Sequence, residues 1–206
     1  KLNSISRYVV QLSTAFYLLN IYDLPKLEIF NQEILGIFLE LLILIILTGI
    51  INFINFMDGI DGLVVVQALC VAVGVGIIGT VRLTAADTGP LVLLCSTLVA
   101  CLAPLLWFNW PPAKLFMGDA GAVPLGFFIA LLGLLALMLD TVMGWVWLVL
   151  MMPFLIDASV TLCLRVAAGH SPHVAHRDHA YQRLALMAGS PLPVTLGLLA
   201  LQLILI

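Results

Sequence analysis

Apolar residues dominate the chain in long runs separated by short polar stretches. A membrane-spanning helix needs about 20 mostly apolar residues, with about 17–25 tolerated. Seven runs meet or approach this requirement: 8–22, 34–51, 63–81, 90–108, 120–139, 141–164 and 191–206. The five central runs contain only two charged residues, Glu40 and Asp157, whereas the first run is short and the last has no polar flank. The pattern predicts an all-α, polytopic membrane helix bundle, with 1–206 as a single integral-membrane domain.

Composition supports a bilayer environment. Of 206 residues, 63% are hydrophobic and 9% charged, with a net charge of -3 and a mean hydropathy of +1.20. Soluble domains carry roughly 25% charged residues. A soluble domain, a disordered segment, a secreted disulfide scaffold and a nucleic-acid binder are therefore excluded. Because the chain opens on Lys1 and ends in an apolar run, we interpret it as an internal fragment.

Parity sorts the loops between the two membrane faces, because each span crosses once. The N-terminus, 52–62, 109–119 and 165–190 share one face; 23–33, 82–89 and 140 share the other. The first face carries six of the eight basic residues and the second only two, which predicts a cytoplasmic first face. The six are Lys1, Arg7, Lys114, Arg165, Arg177 and Arg183; the two are Lys26 and Arg82.

The first of these loops carries an acidic pair. Asp58 and Asp61 stand three residues apart, each followed by a glycine, at the end of an apolar helix. Carboxylates at this spacing on one helical turn repel unless a cation or a proton lies between them. Oxygen ligands of this kind suit Mg²⁺ or Mn²⁺ together with substrate phosphates. The alternative is that both residues merely cap or wet the interface.

A second polar passage, 109–121, places Asp119 between two glycines just before the next span. Glycines there allow backbone N–H groups to approach a phosphate, and the helix N-terminus adds partial positive charge. Asp119 could equally be the helix N-cap, and Lys114 alone would be an ordinary interfacial lysine.

All four histidines lie in the third loop at a uniform spacing of three: His170, His173, His176 and His179. Pro172 argues against one continuous helix through them, so we predict a helix only over 174–187. His176, His179 and Arg183 would share one face of it and offer donors to phosphate oxygens.

These loops converge on one membrane face and predict a phosphoryl-transfer site. Carboxylates would hold a divalent cation, basic groups would neutralise a pyrophosphate, and a nucleophile would attack phosphorus. A nucleotide-activated donor and a lipid acceptor fit a polar site beside apolar spans.

At these residues the sequence resembles the polyprenyl-phosphate N-acetylhexosamine-1-phosphate transferases. Three segments carry the resemblance in order: NFINFMDGIDGL, NWPPAKLFMGDAGA and PFLIDASVTLCLRVAAGHSPHVAHRDHAYQRL. The last segment is closest in form to WbpL-like initiators of O-antigen synthesis. The resemblance implies transfer of a sugar-1-phosphate from a UDP-N-acetylhexosamine to undecaprenyl phosphate with release of UMP, dependent on Mg²⁺ or Mn²⁺. Both substrates and membrane lipid are the expected partners, nucleic acid is not, and a homodimer is left open.

The resemblance also assigns roles by position. Asp119 would bind the metal and act with Asp58 and Asp61 as the catalytic carboxylates. Substrate-binding residues would be Asn55, Asn109 at the nucleotide end, Lys114, His176, Arg177, His179 and Arg183. Direct attack by the lipid phosphate and a two-step route through an aspartate both remain open. The family's adjacent Asp-Asp pair is absent from the 206 residues, so we expect this fragment alone to be inactive.

Two other classes compete with this interpretation. The CDP-alcohol phosphatidyltransferases share a D-x-x-D-G pattern, but Leu63 to Val66 do not continue that family's motif. A cation- or proton-coupled transporter is favoured by Glu40 and Asp157 within spans. Transporter sites lie near the midplane of repeated halves, however, and here the acids cluster at one face without an internal repeat. Asp157 lies near the cytoplasmic end of its span, where it could position Arg165.

Overall fold

A computed structural model describes residues 12–13, 33–170 and 177–206, and every regular element within them is an α-helix. The seven helices follow in chain order: α1 Glu33–Met57, α2 Leu63–Arg82, α3 Ala85–Asn109, α4 Gly118–Leu139, α5 Thr141–Ala167, α6 Ala180–Ala188 and α7 Leu192–Leu205. The predicted all-α helix bundle is confirmed. Six predicted spans coincide with α1 to α5 and α7, whereas 8–22 lies outside the described residues apart from 12 and 13.

The helices have the length and apolarity of membrane spans. In the described part of the chain, α2, α3, α4 and α5 are each long and apolar enough to cross a bilayer. The described apolar part of α1, Leu41–Met57, and the whole of α7 are shorter. The protein is therefore a multi-pass membrane protein.

Helix ends differ from the predicted loops in two places here. The stretch 52–57 is not a loop, because α1 continues to Met57 and the Asn52 side chain donates to the Thr48 carbonyl at 2.7 Å within the helix. Helix α3 begins at Ala85 rather than near 90, because the Thr84 hydroxyl accepts from the Asp87 N–H as an N-cap. Only 58–62 and 83–84 remain as connections there.

Close helix contacts hold the bundle together at small residues. A Cβ at Gly126 of α4 would lie 2.9 Å from the Ile51 Cα of α1, so the two backbones approach directly. The Trp147 ring of α5 lies over Gly133 of α4, and its indole N–H donates to the Ile129 carbonyl at 3.0 Å. These contacts pack α4 directly against both α1 and α5.

A buried polar cluster joins three helices inside the apolar core. The Gln67 amide on α2 donates to the Leu150 carbonyl of α5 at 2.7 Å. Gln202 on α7 donates to the same carbonyl and to the Gln67 side-chain oxygen, both at 2.8 Å. Both glutamines are fully buried. Interhelical hydrogen bonds of this kind fix how helices pack in an apolar medium.

The two ends of the bundle carry different connections, as parity predicts. At one end, Arg82 of α2 pairs with Asp140, which joins α4 to α5, with 2.8 Å between Nε and Oδ2. The hydrogen bond from Arg82 lowers the pKa of Asp140. At the other end, the turn 58–62 contacts both the loop 110–117 and helix α6. The described parts of the three motif segments therefore lie at the same end of the bundle, as predicted.

Candidate active site

The turn between α1 and α2 directs its two carboxylates to different partners. The Gly118 N–H at the start of α4, beside Asp119, interacts with the Asp58 carboxylate and favours its charged form. Asp61 instead accepts from the Ala113 N–H at 2.9 Å and so holds the loop 110–117. Gly62 closes the turn at φ 74°, a left-handed conformation that favours glycine.

Asp58 and Asp119 form an acidic pair at the mouth of the turn. Burial raises the pKa of Asp58 to about 6; the Gly118 N–H opposes this shift, and the negative charge of Asp119 adds to it. Asp119 lies exposed in the first turn of α4, whose N-cap is Met117, so the alternative that Asp119 is the N-cap is wrong. A carboxyl group whose pKa is raised beside a second negative charge is suited to a cation.

These two carboxylates also fit the donor set of a divalent metal. Mg²⁺ is usually held by one or two carboxylates, with phosphate oxygens and water completing the octahedron. Across the described ranges, no group of three His, Cys, Asp or Glu side chains could hold a metal by itself. A bound cation here would therefore take most of its ligands from substrate and water.

Asn109 lies beneath the site and links its two loops. It is the last residue of α3 and only 4% exposed. Its Oδ1 accepts from the Gly62 N–H at 3.0 Å, and its Nδ2 donates to the Leu115 carbonyl at 2.8 Å. The amide is used on both sides within the protein. This geometry favours a structural role over the nucleotide contact that the sequence predicted, which stays a prediction.

The third motif segment packs against the turn through α6. This helix begins at Ala180 rather than 174, so the predicted single helical face for His179 and Arg183 with His176 is wrong. His179 is the N-cap residue and is buried, whereas Arg183 lies exposed on α6. His176 lies outside the described residues.

Asp157 fixes where α6 begins. Its carboxylate accepts from the backbone N–H groups of Ala180 at 2.9 Å and Tyr181 at 3.1 Å. Its Oδ1 also lies 3.4 Å from Nδ1 of His179. The suggestion that Asp157 positions Arg165 is wrong, since Arg165 forms an ion pair with Asp178.

Tyr181 carries this contact to the turn. Its hydroxyl donates to the Phe56 carbonyl at 3.0 Å, and its side chain is buried. Burial, together with the charges of Asp157 and Asp58, raises the pKa of Tyr181, so the hydroxyl remains a donor. Neither Tyr181 nor Thr195 was predicted from the sequence; the Thr195 hydroxyl donates to the Asp61 carbonyl at 2.9 Å. The run AYQRL after the last histidine was the available signal for Tyr181.

The remaining predicted residues lie at the same end of the bundle with fewer defined contacts. Asn55 is half-buried in the last turn of α1, and Lys114 and Arg177 are exposed. A cavity of about 970 Å³ lies between α5, α6 and α7, and its lining includes Asp157, Arg165 and Arg183. Neither Asp58 nor Asp119 lines this cavity.

Comparison with known proteins identifies the family. A model described as glycosyl transferase family 4 matches residues 1–138. A phospho-N-acetylmuramoyl-pentapeptide-transferase of Wolinella succinogenes is 44% identical over 50 residues, which cover 24% of this chain and 14% of that protein. The enzyme of the same name from Granulibacter bethesdensis is 51% identical over 41 residues, covering 20% of this chain and 11% of that protein.

The aligned segments thus span less than a sixth of either relative's length. The family model, by contrast, covers more than half of the 206 residues. The chain therefore belongs to glycosyl transferase family 4, the family of the polyprenyl-phosphate hexosamine-1-phosphate transferases.

Proposed function

We propose that the protein transfers an N-acetylhexosamine-1-phosphate from a UDP-sugar to undecaprenyl phosphate and releases UMP. The observation that carries this proposal is that Asp58 and Asp119 lie at the same end of an apolar bundle, where the turn 58–62 is bonded to the loop 110–117 that leads to Asp119. Membership of the family supports the reaction class. The names of the related enzymes describe transfer of a phospho-N-acetylmuramoyl-pentapeptide, which supports a donor that carries a phosphate-linked N-acetylated sugar.

In the reaction, an oxygen of the lipid phosphate bonds to the sugar-bearing phosphorus of the donor. The bond from that phosphorus to the UMP oxygen breaks, and UMP leaves with the electron pair. The phosphorus passes either directly or through an aspartyl intermediate. Attack between anions needs preorganised positive charge and donors, and Lys114, Arg177 and Arg183 are exposed at this end of the bundle.

Asp58 and Asp119 would hold Mg²⁺ or Mn²⁺. When bound, the cation neutralises phosphate charge and orients the pyrophosphate. Asp61 and Asn109 would act by keeping the turn 58–62 and the loop 110–117 together, because both are bonded to backbone groups there. His179 would orient the α6 segment beside Asp157, and His176 would contact the donor as the family resemblance implies.

The location and pathway follow from the same proposal. The basic residues at the active end favour the cytoplasmic face of a bacterial inner membrane, where a UDP-sugar is available. The WbpL-like form of the third motif favours initiation of O-antigen or another surface polysaccharide. A coupled transporter is not favoured, because the carboxylate of Asp157 is engaged with the N-terminus of α6. Inactivity of the 206 residues alone stays a prediction.

Membranes containing the complete open reading frame test the proposal. UMP release is measured with undecaprenyl phosphate and a panel of UDP-N-acetylhexosamines, with and without Mg²⁺. We expect cation-dependent release with one donor, lost in Asp119→Asn and retained in Asp87→Asn, whose carboxyl lies exposed in the first turn of α3. Absence of release with every donor from folded protein would contradict the proposal.

A further inference from the structure

Helix α6 receives its N-terminal cap from another helix. The side chain of its N-cap residue, His179, makes no capping hydrogen bond to the first turn. The carboxylate of Asp157 on α5 instead accepts from the first two amides of α6, and the Thr161 hydroxyl donates to the same carboxylate at 3.0 Å. A carboxylate at a helix N-terminus gains from both the unpaired N–H groups and the partial positive charge of the helix dipole.

The other side of the first turn of α6 packs against the turn 58–62. A methyl group at Gly59 would overlap the Tyr181 hydroxyl and lie 2.8 Å from Nε2 of Gln182. The absence of a side chain at residue 59 thus lets α6 sit directly against the residue that follows Asp58. The Tyr181 hydroxyl completes this contact through the Phe56 carbonyl.

Asp157 therefore lies at one end of a short series of contacts, here called the link, which runs through α6 to the residues around Asp58. Its carboxylate accepts hydrogen bonds from the first turn of α6. The same helical turn contacts residues 56 and 59, which lie on either side of Asp58. The link passes through hydrogen bonds and direct packing. The contact of Asp58 with Gly118 is not part of this link, because Gly118 belongs to α4 and not to α6.

We propose that Asp157 is a positioning residue, which docks α6 onto the turn 58–62 and so holds Arg183 at a fixed position relative to the Asp58 carboxylate and the nucleotide-sugar. The proposal rests on the proposed transferase function for its kinetic consequence. Loss of the cap should free α6 and weaken donor binding, while the acidic pair itself stays in place.

Hydrogen exchange and kinetics of full-length variants test this. In Asp157→Asn, whose side chain has the same shape, we expect amide exchange of 180–188 to quicken while exchange in the core of α4 is unchanged. The donor KM should rise at least about tenfold, the factor that corresponds to 1.4 kcal/mol, with a smaller change in kcat. Asp157→Glu, which keeps a carboxylate, should recover part of the donor affinity.

Two further variants separate the link from a general packing effect. Thr161→Val removes one neutral donor to Asp157 but leaves both cap bonds, so its donor KM should stay close to wild type. Tyr181→Phe breaks the link at its far end and should raise the donor KM without opening the N-terminus of α6. Melting temperatures of all variants identify any that fail to fold.

The possible failures are distinguishable. Unchanged exchange of 180–188 in Asp157→Asn would overturn the proposed docking role whatever the activity. Faster exchange with unaltered kinetic constants would overturn the role in the reaction. If wild-type protein releases no UMP, the proposed function fails, and with it the kinetic role, while the exchange data alone decide whether Asp157 docks α6.

Discussion

Replacing Asn109 by alanine should destabilise the active-site loops rather than remove a single substrate contact. The change deprives the buried Gly62 N–H and the Leu115 carbonyl of their partners, which lie at 3.0 and 2.8 Å. An unpaired buried polar group costs about 1–3 kcal/mol. Because Leu115 is half exposed and its carbonyl has access to water, the total loss should be about 2–4 kcal/mol.

Thermal unfolding in detergent or nanodiscs measures this loss. At about 2–4 °C per kcal/mol for a chain of this size, Tm should fall by about 4–16 °C. Hydrogen exchange should quicken in 58–62 and 110–117. Ser96→Ala is the matched control, since this exposed α3 residue bonds only the carbonyl of Leu93 in its own helix. Its Tm should stay near that of wild type.

The kinetics of Asn109→Ala then decide between two roles. If Asn109 holds the two loops together, kcat should fall together with the loss of stability. If Tm and exchange match those of Ser96→Ala and only the donor KM rises, Asn109 contacts the nucleotide as its sequence motif indicated. That result would refute the structural role derived from its two hydrogen bonds.

Three further tests concern the packing. Gly62→Ala should lower the free energy of unfolding more than Gly118→Ala. Both substitutions impose left-handed strain of about 1–2 kcal/mol, but only a Cβ at Gly62 would lie 3.2 Å from neighbouring side chains. Unfolding in urea compares the two variants. Gly126→Val should force α1 from α4 and lower Tm, whereas Gly49→Val, with open space around its Cβ, should not; equal Tm values would contradict the close approach. Gln202→Leu should cost about 0.6–2 kcal/mol by breaking the cluster across α2, α5 and α7, and unchanged stability would show that the cluster contributes nothing.

Much of the bundle was predictable because apolar length and loop parity act locally along the chain. The runs 63–81 and 120–139 match α2 and α4 to within two residues. Helix boundaries set by side-chain or tertiary contacts were not predictable. The start of α6 depends on Asp157, which precedes Ala180 by 23 residues. The spacing of apolar residues along the chain contains no information about such a contact.

The candidate site shows the same division. Its glycines and carboxylates stand out in the sequence, so Asp58 and Asp119 were identified from their spacing and flanks. Their partners were not, because the Asn109 bond to Gly62 spans 47 residues and the Tyr181 bond to Phe56 spans 125. The sequence therefore predicts a substrate contact for Asn109 but gives no sign of the two hydrogen bonds by which it joins the loops.

The most direct test of the acidic pair as one functional unit is a double-mutant cycle on UMP release with Asp58→Asn and Asp119→Asn in the complete protein. Each single change should slow release by at least about 100-fold, the scale set by losing one preorganised electrostatic group. Groups that act together are not additive, so the double variant should be no more than about twofold slower than the worse single variant. Losses that multiply in full, or either single variant retaining wild-type rate, would contradict a shared site.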